Sequence, residues 1–102
     1  MALSQQLAGT SPTTVYTSSG DSATTSIFLM NDNGASRTVQ VYLVPNGGTA
    51  GVTNQIIKDL AIDGADTYIL QNEKIVLANG DTVQVTASAT NSIYATVSYV
   101  GI

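Results

Sequence analysis

The sequence of 102 residues contains no cysteine, no histidine and no tryptophan. Without cysteine there are neither disulfides nor thiolate chemistry, so packing alone must hold the core. Without histidine or cysteine, the usual catalytic triads lose their base and their strongest nucleophile. Zinc and other transition metals lose their usual ligands as well. Charge is the next scarcity: charged residues make up 10% of the chain, against roughly 25% in ordinary soluble domains. The net charge of −4 comes from Asp21, Asp32, Asp59, Asp63, Asp66, Glu73 and Asp81 against Arg37, Lys58 and Lys74. Three scattered basic residues cannot form the cluster that phosphates or anionic lipid require, so neither nucleic acid nor a membrane surface is an expected partner. No run approaches the ~18 apolar residues of a membrane span. The start, Met1 to Leu7, lacks the charged and apolar regions of a signal peptide, and the expectation is a protein made in the cytoplasm and used without export.

Hydroxyls replace the missing charge. Thr and Ser supply about a quarter of the chain, and Thr, Val, Ile and Tyr suit a pleated, half-buried strand. A hydrophobic content of 43% is ordinary for one globular domain, and the length fits a single core.

Short alternating runs bounded by Gly, Asn, Asp, Pro or Ser divide the chain into strands. Thr13 to Thr17 follows Pro12 and suits an edge or a strand start. Ala23 to Met30 places Ile27 and Leu29 on one face and Phe28 and Met30 on the other, so both faces of that strand are expected to be covered. Thr38 to Val44 places Val39, Val41 and Leu43 opposite Gln40 and Tyr42. Between these two, Asn31-Asp32-Asn33-Gly34 reads as a tight hairpin turn. Pro45 ends the strand, and Asn46 to Gly51 reads as a mobile loop. Gln55 to Ile62 is short enough for a helix or a strand, and its β-branched residues favour strand. Asp63 to Asp66 turns the chain into Thr67 to Leu70. Gln71 to Lys74 is a connector with room for one helical turn before Ile75 to Leu77. Asn79-Gly80-Asp81 is a second hairpin signal, leading into Thr82 to Ala87, and Ile93 to Val100 is the last strand.

Seven or eight short strands with turns every eight to twelve residues predict an all-β, two-sheet antiparallel β-sandwich, jelly-roll or immunoglobulin-like, with an up-and-down barrel as the alternative. Residues 13–102 form the sandwich. Residues 1–12, polar and with Leu3 and Leu7 at helical spacing, read as an extended or weakly ordered N-terminal arm that docks on a neighbour.

The remaining candidates for chemistry are oxygen groups. Asp63 and Asp66 are the closest acids in sequence, but a paired-carboxylate hydrolase needs them facing across a cleft, and both sit where Asp forms turns. Asn31 to Gly34 and Asn79 to Asp81 are oxygen-rich, yet neither has the spaced carboxylates of a calcium loop. Gly47, Gly48 and Gly51 lack the lysine of a phosphate loop. Tyr16, Tyr42, Tyr68, Tyr94 and Tyr99 fall on strands, where core or interface packing is expected; a glycan-binding face would need aromatics clustered on one exposed side. No catalytic residue, cofactor or metal ligand is expected.

Taken in order, Pro12-Thr13-Thr14-Val15-Tyr16-Thr17, Val44-Pro45-Asn46-Gly47-Gly48, Asn54-Gln55-Ile56-Ile57-Lys58, Asp66-Thr67-Tyr68-Ile69-Leu70, Glu73-Lys74-Ile75-Val76-Leu77, Asn79-Gly80-Asp81 and Val97 to Ile102 resemble a set of small virion-associated proteins and tail-protein domains of tailed bacteriophages, cyanophages included. The resemblance spans residue 10 to the end. It implies a structural protein of the virion: a capsid cement or decoration protein on the capsid surface, bound to the major capsid protein over joints between its subunits, often as a homotrimer. The same resemblance includes domains of tail and fibre proteins, so a tail, neck or baseplate accessory protein stays open, as does a receptor- or glycan-binding module. The partner contacts expected are Leu3, Gln5, Gln6, Leu7 and Pro12 of the arm, with Thr13, Val15 and Tyr16 of the adjoining strand.

Overall fold

The computed structural model describes residues 2–71 and 74–102. Met1, Asn72 and Glu73 lie outside the described residues, and with the last two goes the middle of the expected connector.

Among the described residues nine strands form: β1 (Ala2–Leu7), β2 (Thr13–Thr17), β3 (Ser22–Asn31), β4 (Arg37–Val44), β5 (Gln55–Ile62), β6 (Thr67–Leu70), β7 (Ile75–Leu77), β8 (Thr82–Ala87) and β9 (Ile93–Gly101). One 3-10 turn, Val52–Asn54, precedes β5. Sheet A runs β1-β9-β3-β6, with β7 also on β3, and sheet B runs β2-β8-β4-β5. Every strand pairing is antiparallel. β6 pairs with Ile27 to Met30 and β7 with Ser22 to Thr24 of the same strand, so these two are one strand position interrupted between Leu70 and Ile75. Nine segments therefore fill eight positions.

The connectivity is that of one long hairpin rolled up. β1 pairs with β9, β2 with β8, β3 with β6 and β7, and β4 with β5, the tip being the loop 45–54. Rolling adds the pairings β3 with β9 and β4 with β8, which close sheets A and B. This is the jelly-roll form of the sandwich. Only β4 and β5 are joined as a hairpin; every other connection apart from the break between β6 and β7 crosses between sheets.

Two expected hairpins are corrected by that path. β3 and β4 lie in different sheets, as do β7 and β8. Asn31 to Gly34 does not make a tight hairpin turn: neither Asn33 nor Gly34 has the positive φ that such a turn needs. Instead Asn31 is fully buried. Its Nδ2 donates to the carbonyls of Ala35 (2.9 Å), Ile62 (2.9 Å) and Asp63 (3.3 Å), while its Oδ1 accepts from Asn33 N (2.9 Å). The side chain ties one crossing loop to another. At the opposite end, Asp81 N donates to Ala78 O (3.1 Å) and Gly80 has φ +88, the pattern of a type II turn. Asp81 accepts from Ala78 N and from Asn46 N, each at 2.9 Å, so one carboxylate pins two loops.

Between the sheets lies a single core built around Ile27, Leu29, Val39, Val41, Val83, Val85, Ile93 and Val97. Inward alternation of these residues produces it, at about 1.5–3 kcal/mol per buried aliphatic side chain. Tyr16 stacks on Tyr99 with ring centroids 4.1 Å apart, and its hydroxyl donates to Ser22 Oγ (2.9 Å).

The N-terminal segment is extended, but it docks on its own domain. β1 pairs with β9 from Ala2↔Tyr99 to Leu7↔Tyr94, and Ala8 is buried beyond it. The four-residue spacing of Leu3 and Leu7 is an even number, so it puts both on one face of a strand as readily as on one face of a helix.

Candidate functional site

The two outer faces of the sandwich differ in chemistry. Residues opposite one another in an antiparallel pair point to the same side, so the register assigns each face. On sheet B the outward residues include Thr14 of β2; Thr82, Gln84 and Thr86 of β8; Thr38, Gln40 and Tyr42 of β4; and Gln55 of β5. This is the polar face expected of a sheet with one solvated side.

Sheet A breaks that rule. One row across its outer face is Leu7–Tyr94–Met30–Thr67, the next is Gln5–Thr96–Phe28–Ile69, the third is Leu3–Ser98–Ser26, and Val100, Ala23 and Val76 lie in a fourth. Met30 is 39%, Ile69 43% and Val76 69% exposed. No charged side chain stands in these rows. Strand β3 thus buries Ile27 and Leu29 inside while Phe28 and Met30 form the middle of an apolar exterior. A shallow groove of ≈ 380 Å³, lined by Gln5, Gln6, Leu7, Tyr94, Ala95 and Thr96, runs along the β1 side of this face.

The expected contact residues separate accordingly. Leu3, Gln5 and Leu7 lie on the outer face of sheet A, and Gln5 Nε2 donates to Thr96 Oγ1 (3.3 Å). Gln6 is exposed at the same edge. Pro12 lies elsewhere, beside the sheet B face with Thr10, Thr38 and Tyr42. Thr13 serves the local turn: its Oγ1 accepts from Gly9 N and donates to Ser11 O, each at 3.0 Å. Val15 and Tyr16 are corrected outright, because at 4% and 6% exposure they belong to the core. A register shift between Thr14 and Tyr16 gives β2 a bulge that turns two consecutive apolar side chains inward, which simple alternation does not reveal. The larger part of the apolar face, Phe28, Met30, Ile69, Tyr94 and Val100, was not among the expected contacts. Its signal was the apolar pair Phe28 and Met30 opposite Ile27 and Leu29, read as a strand covered on both sides.

On sheet B a depression of ≈ 300 Å³ lies over Tyr42, lined by Thr10, Pro12, Thr38, Gln40, Thr86 and their neighbours. Gln40 Oε1 accepts from Tyr42 Oη (2.7 Å) and from Gln55 Nε2 (2.8 Å), and Gln40 Nε2 donates to Asp59 Oδ1 (2.9 Å). Asp59 has φ +52 at a bulge where Lys58 and Asp59 together face Gln40. The chemistry available here is neutral hydrogen bonding with one carboxylate.

Asp63 and Asp66 share a turn: Asp66 N donates to Asp63 O (3.1 Å), and Asp66 Oδ1 accepts from Thr67 N (2.8 Å). Among the described residues no three acidic side chains gather as metal ligands, and no helix is long and apolar enough to cross a membrane. Comparison with family models, curated proteins and solved structures finds no match to this chain.

Proposed function

We propose that the protein is a non-enzymatic structural protein of a bacteriophage virion, a capsid cement protein that docks on the major capsid protein through the outer face of sheet A. The observation that carries the docking surface is the uncharged cluster of apolar side chains made by Leu7, Phe28, Met30, Ile69 and Tyr94 on that outer face. Apolar clusters exposed on a sheet face mark interaction sites. The whole face, four strand positions about 4.8 Å apart and about 25 Å long, offers on the order of 500 Å², more than half of the roughly 800 Å² that one partner brings to a standard interface, and the apolar cluster occupies two adjacent rows of it. The particle itself comes from the sequence resemblance.

Densitometry of purified particles tests the assignment. A cement protein is present in hundreds of copies; tens or fewer would make it a tail, neck or baseplate accessory protein. Met30→Asp and Ile69→Asp, both on the exposed face, are expected to abolish occupancy of empty capsids while preserving the fold. Unchanged occupancy would refute this docking face.

A second reading, a glycan-binding module, draws on the sheet B depression, where Thr38, Gln40, Tyr42 and Thr86 present donors and acceptors, with Gln40 held by Gln55 and Asp59 beside it. A glycan array that stays flat removes it.

A further inference from the structure

A sheet edge presents unpaired backbone donors and acceptors, and proteins usually blunt it. Three of the four edges here are blunted. β5 has two register irregularities in its pairing with β4 and carries Lys58 and Asp59. β2 follows Pro12 and is bulged between Thr14 and Tyr16, and the Val15 carbonyl on it accepts from Ser4 Oγ of β1. The β6 and β7 edge is broken between Leu70 and Ile75. Among the described residues β1 carries no bulge, break, proline or charge, and its Ser4 Oγ reaches β2 from the inward side of the strand, opposite Val97. Ala2-Leu3-Ser4-Gln5-Gln6-Leu7 contains no charge, proline or glycine, and its register on β9 is unbroken over all six residues.

We infer that β1 is a pairing edge for a second copy of this chain, the two β1 strands running antiparallel about a two-fold axis at Gln5 and joining the two copies of sheet A into one. Parity limits the register. Leu3, Gln5 and Leu7 face outward, so outward faces stay together only when odd residues oppose odd residues. With Gln5 opposite its own copy, Leu3 of each chain meets Leu7 of the other, giving two apolar cross-strand pairs around one amide pair. Ser4 meets Gln6 on the inner side. The arrangement is isologous, as a two-fold dimer requires. It also removes like-charge repulsion from the contact: the chain carries −4 overall, yet β1 is uncharged. Ala2, Leu3, Gln5 and Gln6 are all exposed along this strand. Pairing makes the apolar outer faces of the two sheets A continuous, and the inference stands whether or not that face docks on a capsid.

A six-residue ladder is a small interface, so dimerisation is expected in the high-micromolar range by sedimentation equilibrium of the full chain. Gln5→Lys and Gln5→Glu put like charges opposite each other at the axis. Each is expected to weaken the dimer about fivefold or more, and an equimolar mixture to restore it. Because the chain has no cysteine, Gln5→Cys offers a single thiol. Opposed Cα atoms in such a pair lie about 4.5–5.5 Å apart, within disulfide reach, so mild oxidation should cross-link this variant well ahead of Thr17→Cys, an exposed position on β2. Thermal melts of the Gln5 variants should match the parent, since Gln5 is exposed. A parent that stays monomeric to about 1 mM, an oligomer indifferent to the charge at position 5, or cross-linking no faster at position 5 than at position 17 would each overturn the inference.

Discussion

Replacing Asn31 tests how the crossing loops are held. In Asn31→Ala the Ile62 carbonyl loses a buried hydrogen-bond donor. The carbonyls of Ala35 and Asp63 and the Asn33 N–H lose a partner too, but these bonds are only partly buried and water can replace them. A buried group left unpaired costs about 1–3 kcal/mol, so the total is about 2 kcal/mol. That is a large share of the ~5–15 kcal/mol that holds a domain, and at about 4–8 °C per kcal/mol it lowers the melting temperature by roughly 10 °C. Asn31→Asp keeps the shape but turns a carboxylate toward three carbonyl oxygens, which should cost more than Asn31→Ala at neutral pH. The sign of its pH dependence follows. Burial among oxygens raises the folded-state pKa of the introduced carboxyl above its unfolded value of about 3.9. The neutral form's advantage is therefore fully present below about pH 3.9 and is lost as pH rises through the raised folded value. The difference between Asn31→Asp and Asn31→Ala, in which the other carboxylates cancel, isolates it. Urea melts of both variants followed by tyrosine fluorescence at neutral and acid pH give the measurement. An alanine variant within about 1 kcal/mol of the parent, or an aspartate variant more stable than alanine at pH 7, would refute the assignment.

Gly64→Ala should be costly for a different reason: an added Cβ would meet the Gly34 carbonyl oxygen at 2.3 Å and its carbon at 2.5 Å. Backbone cannot yield as a side-chain tip does, and a loss of about 2 kcal/mol or more is expected in urea midpoint, with no change if the two loops are not in contact. At Asp59, with φ +52, Asp59→Gly should stay within about 1 kcal/mol of the parent because glycine accepts the left-handed conformation, while Asp59→Val should cost about 2 kcal/mol. Equal melting temperatures for these two variants would contradict the bulge.

Alternation made the strands legible. Val39, Val41, Val83, Val85, Ile93 and Val97 fall in the core where period-two patterning puts them. Pairing was less legible, because a turn sequence states where the chain bends and not which sheet it enters. Asn31 to Gly34 contains favoured hairpin residues, yet Asn31 spends its side chain on Ile62, 31 residues away, a contact with no local signature. The contact surface was legible only along β1. Leu3, Gln5 and Leu7 were in view, but Phe28, Met30, Ile69 and Tyr94 come from three other strands and meet only through strand order. Val15 and Tyr16 were misplaced because one bulge residue shifts which side chain faces the core.

The rolled hairpin also has a consequence for synthesis. β9 lies between β1 and β3 in sheet A, so β1 has no neighbour in its sheet until β9 has been made. Sheet A cannot close before then, and closure joins segments from opposite ends of the domain. Such long-range pairing is slow, on the millisecond-to-second scale of β-sandwiches. During that interval β1 and the apolar side of β3 stand uncovered together, making the newborn chain, more than the finished domain, the form that chaperones would meet.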